Sequence, residues 1–143
     1  MKKVFTFMAA LLLTVSASAD NRHITFGELP KNAKVFVFTY FKGAPIKEVV
    51  IERRASLAQY EIELENGLKL QFDRVGFCTE ISTKHGEIPA EVMPKKIVEI
   101  VQKYFPQHRV QKYENNGRMY EVELDNKTVL TFSKAFRLVD VDD

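Results

Sequence analysis

Apolar and polar residues alternate along two nearly identical runs of the chain. Tyr60, Ile62 and Leu64 are separated by Glu61 and Glu63, and Tyr120, Val122 and Leu124 by Glu121 and Glu123. A period of two puts the apolar set on one face of a strand and the carboxylates on the other. Asn66-Gly67 follows the first run and predicts a tight hairpin, because both residues tolerate positive φ. On the return, Leu68, Leu70 and Phe72 alternate with Lys69, Gln71 and Asp73. The second run is followed by a turn at Asp125-Asn126-Lys127 and by Leu130 and Phe132. Further strands are predicted before each hairpin, over 46–54 and 110–114, and after it, over 77–81 and 136–141. Alternation is imperfect in these outer strands. A single bulge would reverse which face points inward, so the pattern leaves that open.

Ahead of each strand set the period lengthens. Ile97, Ile100, Val101, Tyr104 and Phe105 recur at i, i+3, i+4, i+7 and i+8, one face of an amphipathic helix. Pro94 suits its first turn and Pro106 stops it. The matching stripe in the first half is Ala33, Phe36, Val37, Tyr40 and Phe41, after Pro30 and before Gly43 and Pro45. The two helices differ off the stripe. Where the second has Glu99 and Gln102, the first has Val35 and Phe38. An almost wholly apolar helix is buried on more than one side. Val35 and Phe38 therefore either face a partner or a second copy, or are covered by the 54–57 loop or the Ile24-Thr25-Phe26 segment.

These elements are the same unit twice. Leu29-Pro30-Lys31 returns as Met93-Pro94-Lys95 and Tyr40-Phe41 as Tyr104-Phe105, both 64 positions on, while the Tyr60 run returns 60 positions on. Repetition at this period is a statement about architecture. The predicted fold is α+β: two tandem helix-plus-four-strand repeats, over about 24–82 and 88–142, forming one antiparallel sheet covered by helices on one face. Eight strands are expected, in a single domain over 20–143. The junction 83–87 is short and polar and reads as a connection within that domain.

The first residues read as a leader rather than as part of this pattern. Lys2 and Lys3 precede an apolar run from Val4 to Val15, and Ala17-Ser18-Ala19 is a small-x-small cleavage signal before Asp20. This is the arrangement of a secretory signal peptide over 1–19, cleaved after Ala19, and it marks the remaining chain for export with no membrane insertion. Losing Lys2 and Lys3 lowers the basic residues from 21 to 19, against 19 acidic ones, so the net charge falls from +2 to zero. A neutral chain with mixed charges lacks the electrostatic footprint of a nucleic-acid binder. The single cysteine, Cys78, excludes an intramolecular disulfide, and its match to Leu138 favours a buried small hydrophobe over an intermolecular disulfide or a reactive thiol.

Candidate chemistry is sparse. Glu61, Glu63, Glu65, Glu121, Glu123 and Asp125 share the water side of two equivalent strands, with Lys69 and Gln71 beside them on the return strand. They could face a cation or a basic partner. Alternate carboxylates on a strand lie about 7 Å apart, whereas calcium wants six to eight oxygens gathered on a loop. Cross-strand pairing with Lys47, Lys69, Arg74 and Lys134 is the simpler expectation. His23, His85 and His108 have no zinc spacing. The acidic end, Asp140-Val141-Asp142-Asp143, is expected to be frayed and solvated. Nothing pairs a nucleophile with a base. The expectation is therefore no enzyme, no catalytic residue, no metal and no cofactor.

The order Leu/Met-Pro, amphipathic helix, Tyr-Phe, Tyr-Glu-Ile/Val-Glu-Leu-Glu/Asp-Asn, Leu-x-Phe resembles the PepSY-like, beta-lactamase-inhibitor-like periplasmic proteins of Bacteroides and relatives. Both repeats carry it, over nearly all of 20–143. The resemblance implies tandem helix-plus-four-strand units like those of the beta-lactamase inhibitor protein, and a non-enzymatic role. The first repeat departs from the pattern, with Phe41-Lys42-Gly43 in place of a Phe-Pro end, no Asn in Arg74-Val75-Gly76, and four extra residues before its hairpin. The function expected is an exported binding module that recognises a protein, peptide or envelope ligand. Its binding residues would be Val35 and Phe38 on the first helix, or Glu61, Glu63, Lys69, Gln71, Glu121 and Glu123 on the open sheet face. The partner would be an envelope protein or peptide, or a second copy. The alternative is a calcium-responsive protein using the acidic strands or tail.

Overall fold

The alternating runs lie inside one antiparallel sheet that the chain builds by simple back-and-forth travel. The computed structural model of the protein describes residues 20–54 and 57–143, so the expected leader lies outside the described residues. The strands are β1 (Asp20–His23), β2 (Ile46–Arg54), β3 (Leu57–Leu64), β4 (Lys69–Phe72), β5 (Cys78–Ser82), β6 (Val110–Asn115), β7 (Tyr120–Leu124), β8 (Val129–Phe132) and β9 (Leu138–Asp142). Their order in space is their order in sequence. Helices α1 (Lys31–Tyr40) and α2 (Lys95–Tyr104) each follow a single 3-10 turn, Phe26–Glu28 and Ala90–Val92. The α+β class and the doubled unit are as the pattern predicts. The sheet has nine strands rather than eight, because β1 is held by backbone pairing to β2, from Asp20↔Arg53 to His23↔Val50. Nothing in the polar sequence of β1 marks it as a strand.

The register gathers the apolar positions into one line across the sheet. Val49 faces Ile62, then come Leu70, Ile81, Tyr113, Val122, Leu130 and Val141, each opposite the next. Ala33 and Val37 of α1, Leu29 and Phe41 just outside its two ends, and Ile97 and Val101 of α2 pack onto this face in one continuous core. Phe72 and Phe132 are fully buried beside the line, each worth about 1.5–3 kcal/mol of burial. Tyr40 and Tyr104, although on the predicted helix stripes, end up largely exposed at the last turn.

Bulges settle the outer strands. The register shifts between Gln71 and Phe72 against β5, and between Thr131 and Phe132 against β9. One residue is inserted at the same place in each repeat, so Cys78 and Ile81 both reach the core side although three positions apart. The hairpin turns also match. Asn66 Oδ1 accepts the Leu68 N–H at 3.0 Å, and Asn126 Oδ1 accepts the Thr128 N–H at 3.1 Å.

The loop before the last strand is where the repeats part. In the first, Asp73 Oδ1 accepts the N–H groups of Val75, Gly76 and Phe77 at 2.9–3.0 Å. Asn32 Nδ2 on α1 donates to the Val75 carbonyl at 3.2 Å. A Cβ on Gly76 would lie 2.8 Å from the Ala33 nitrogen and 2.9 Å from Pro30 Cβ, and the residue has φ +100°. The second repeat carries Phe136 there, at φ 65°, with its ring stacked on Tyr120 at 5.2 Å. Gly76→Ala should therefore cost about 1–3 kcal/mol or more. Urea unfolding would measure this, and a neutral result would mean that α1 does not seat against this loop.

Candidate functional site

The face away from the helices is lined by polar side chains that strand register brings together. Side chains one step off the apolar line form a second line: Val50, Glu61, Gln71, Glu80, Glu114, Glu121, Thr131 and Asp140. A third contains Glu48, Glu63, Lys69, Ser82, Lys112, Glu123, Val129 and Asp142. The predicted residues Glu61, Glu63, Lys69, Gln71, Glu121 and Glu123 all lie in these two lines. Glu80 and Glu114 fill the gap between the two clusters and join them. Sequence reasoning missed both, because they sit on strands whose inward face the pattern left open.

At the junction of the repeats the open face is concave. A groove of about 480 Å³ is lined by Gln59, Gln71, Phe77, Glu80, Glu114 and Asn116 among others. Glu80 is directly opposite Glu114. Burial raises the Glu80 pKa above the ordinary carboxylate range; Lys112 opposes the rise, and Glu114 and Glu61 add to it. Such like charges on facing strands are destabilising unless something positive joins them.

Part of the acidic charge is already paired. Lys47 lies 3.6 Å from Glu63, Lys69 lies 4.0 Å from Glu61 and Lys127 lies 4.0 Å from Glu123. Two of the expected partners thus pair. The other two, Arg74 and Lys134, form no ion pair among the described residues, because each lies on a turn away from the strand carboxylates. Asp125 leaves the open face for a clamp of its own. His108 Nδ1 lies 2.8 Å and Arg109 Nε 3.6 Å from its carboxylate. The hydrogen bond from His108 is the main reason that the Asp125 pKa is lowered.

Val35 and Phe38 lie on the outer side of α1, across the molecule from these carboxylates. They are 54% and 64% exposed, and Lys42 Nζ sits 5.0 Å from the centre of the Phe38 ring. Ile24 and Phe26 pack against the core instead. Side chains of the 54–57 loop, the other expected cover, lie outside the described residues. Cys78 is part-buried and its thiol is pushed up to about 12, chiefly by burial, which makes it a poor nucleophile. The acidic end is not frayed: pairing with β8 holds it as strand as far as Asp142. Among the described residues no three histidine, cysteine or carboxylate side chains could together hold a metal ion, and no helix is long and apolar enough to cross a membrane.

The two shifted carboxylates predict opposite pH behaviour. For Glu80 the folded-state pKa is raised, so its charged form weakens the fold above that pKa and the penalty fades as pH falls through it. Glu80→Gln should raise the melting temperature at pH 7, with the gain shrinking in acid. For Asp125 the folded-state pKa is lowered, so its stabilisation is present above the ordinary carboxylate value and is lost as pH falls through the depressed one. Asp125→Asn should lower the melting temperature at pH 7 and converge with the parent in strong acid. Melting curves of both variants from pH 2 to 8, values chosen to span the carboxylate range, would check the two signs.

Comparison with known proteins agrees with this architecture. The model of a family described as "Putative beta-lactamase-inhibitor-like, PepSY-like" matches twice, over 18–79 and 58–140. No curated protein matches the chain. Among solved structures, a "putative periplasmic protein" of the DUF2874 family from Bacteroides vulgatus is 30% identical, with a TM-score of 0.80, covering 87% of this chain and 98% of that one. A "putative calcium-regulated periplasmic protein" from Bacteroides thetaiotaomicron is also 30% identical, with a TM-score of 0.82, covering 86% and 97%. A third, a Bacteroides vulgatus protein of unknown function, is 22% identical with a TM-score of 0.79, covering 87% and 100%, and shares the fold.

Proposed function

The chain belongs to the PepSY-like, beta-lactamase-inhibitor-like family, and from that premise we propose that it is an exported, non-enzymatic binding module whose open sheet face grips a basic segment of an envelope protein or peptide. The observation that carries this reading is the line Glu61, Gln71, Glu80, Glu114 and Glu121, acidic at every position but Gln71, which spans both repeats and crosses the groove at their junction at Gln71, Glu80 and Glu114. Among the described residues Glu80, Glu114 and Glu121 form no ion pair, unlike their neighbours Glu61, Glu63 and Glu123. A cationic side chain laid between Glu80 and Glu114 would relieve their repulsion. Phe77 at the groove's rim is 60% exposed and offers an apolar anchor. Similarity to two periplasmic proteins at 30% identity supports the compartment. So does the leader-like sequence over 1–19, with cleavage after Ala19.

The test is crosslinking of the protein in periplasmic extract, with crosslinked positions mapped by mass spectrometry. Capture should map to lysines flanking the open face, such as Lys69 and Lys112. It should weaken about tenfold, or ~1.4 kcal/mol, in a Glu80→Gln/Glu114→Gln/Glu121→Gln variant, and should weaken with salt. Capture lost instead in Val35→Glu/Phe38→Gln would move the binding surface to α1. Self-crosslinks alone would replace the partner by a second copy.

A second reading is favoured by one observation. The Bacteroides thetaiotaomicron relative is described as calcium-regulated, and this chain has its own lines of strand carboxylates. With no three carboxylates gathered at one point among the described residues, calcium would here bridge only a facing pair such as Glu80 and Glu114, an arrangement that supplies fewer oxygens than the ion prefers. A rise of several degrees in melting temperature with millimolar calcium, absent with magnesium and absent in the triple Gln variant, is the outcome this reading expects. A flat titration removes it.

A further inference from the structure

We propose that the outer edge of β9, together with the groove between β9 and α2, takes up one extended segment of another protein as an added antiparallel strand, with apolar and basic side chains alternating along it. This surface is separate from the open-face groove, and the inference does not rest on that reading.

The molecule contains a worked instance of the same edge in its occupied state. β5 and β9 are equivalent strands, with Glu80, Ile81 and Ser82 matching Asp140, Val141 and Asp142 sixty positions on. β5 receives β6, with Glu80↔Glu114, Ile81↔Tyr113 and Ser82↔Lys112 in register. Ile81, walled by Leu70 on one side and Tyr113 on the other, is 0% exposed. Val141 has Leu130 on one side and, among the described residues, nothing on the other, and is 44% exposed. At the opposite end of the sheet β2 has its neighbour in β1, which is itself the edge strand there. Among the described residues β9 is therefore the strand whose repeat-equivalent neighbour is missing.

Two further observations fix the chemistry of the occupant. On the helix side, a groove of about 540 Å³ beside β9 is lined by the apolar or aromatic Ile100, Tyr104, Phe136 and Leu138 together with the charged Glu99, Lys103 and Arg137, and Tyr104 is 59% exposed. Apolar side chains of an added strand would enter it next to Val141, as Tyr113 does beside Ile81. On the open side the edge presents Asp140 and Asp142, which face Thr131 and Val129 inward and have no cation opposite them among the described residues. Lysine or arginine at alternate positions would fill that role, as Lys112 stands opposite Ser82. The same charges argue against a second copy, since antiparallel β9–β9 pairing sets aspartates against aspartates. Residues 140–142 also lack the lysine or proline that commonly blunts a free edge, and main-chain pairing plus alternate side-chain pockets is the general mode of strand addition.

The experiment titrates the protein with the peptide Lys-Val-Lys-Tyr-Lys-Val-Lys and with the same residues in block order, Lys-Lys-Lys-Lys-Val-Tyr-Val. Amide hydrogen exchange is followed residue by residue. The alternating peptide should slow exchange in 138–142 at least tenfold and bind at least tenfold more tightly than the block peptide. Val141→Lys should weaken it about tenfold, and so should Asp140→Lys/Asp142→Lys, which keeps Val141 and guards against a folding defect in the first variant. The Glu80→Gln/Glu114→Gln/Glu121→Gln variant should bind it unchanged. Equal binding of the two peptides, protection confined to the open face, dimerisation through β9, or no binding of the alternating peptide would each overturn the proposal.

Discussion

The pairing of β5 with β6 is the constraint on which the rest of the molecule depends. A single four-strand meander with one helix offers a small core and two raw edges, which is marginal for independent stability. Setting Ile81 between Leu70 and Tyr113 converts two such units into one sheet with one core. Because side chains alternate with a period of two, that single register choice orients everything else. If Ile81 faces the helices, Glu80 and Glu114 must meet on the other side. The repulsion at the centre of the open face is thus a consequence of joining the repeats, and the site and the fold share one origin.

Divergence between the copies is concentrated where the shared register leaves freedom. In the first repeat the bulky residue is on the helix, Phe36, and the facing loop carries Gly76. In the second the helix has Ile100 and the loop has Phe136. Large side chain and tight approach exchange places. The strand-end contact shows the same economy. Glu65 N–H donates to the Pro45 carbonyl at 2.9 Å, and Asp125 N–H donates to Arg109 in the same way at 2.9 Å. Only the second copy adds a side-chain clamp, because His108 and Arg109 stand where the first has Ala44 and Pro45. The first copy instead carries Val35 and Phe38 on its outer helix face.

Much of this was legible in the sequence, for a physical reason. Strict alternation in β3, β4, β7 and β8, and the 3.6-residue period in both helices, each fix an inward face locally. The doubling then supplied the topology. What stayed hidden depended on a bulge or on pairing at a distance. The faces of β5 and β9 turn on one inserted residue each, and with them the positions of Glu80 and Glu114. β1 is a strand only because β2 offers an edge, so no local signal precedes it. The exposure of Tyr40 and Tyr104 arises at helix ends, where the stripe runs past the sheet beneath it.

Edge chemistry bears on how two molecules of this protein could meet. The first repeat ends on β5, which accepts β6 of the second, and β9 accepting the β2 of another molecule would by the same geometry give an open-ended stack. The strand β1, Asp20–His23, already occupies the outer edge of β2, so β2 is not free to pair with the β9 of another molecule. Self-pairing through β9 is opposed by Asp140 and Asp142. Both like-with-like assemblies are thus disfavoured by features local to the two ends. The β9 edge, with the groove beside it, remains suited to a strand of opposite charge.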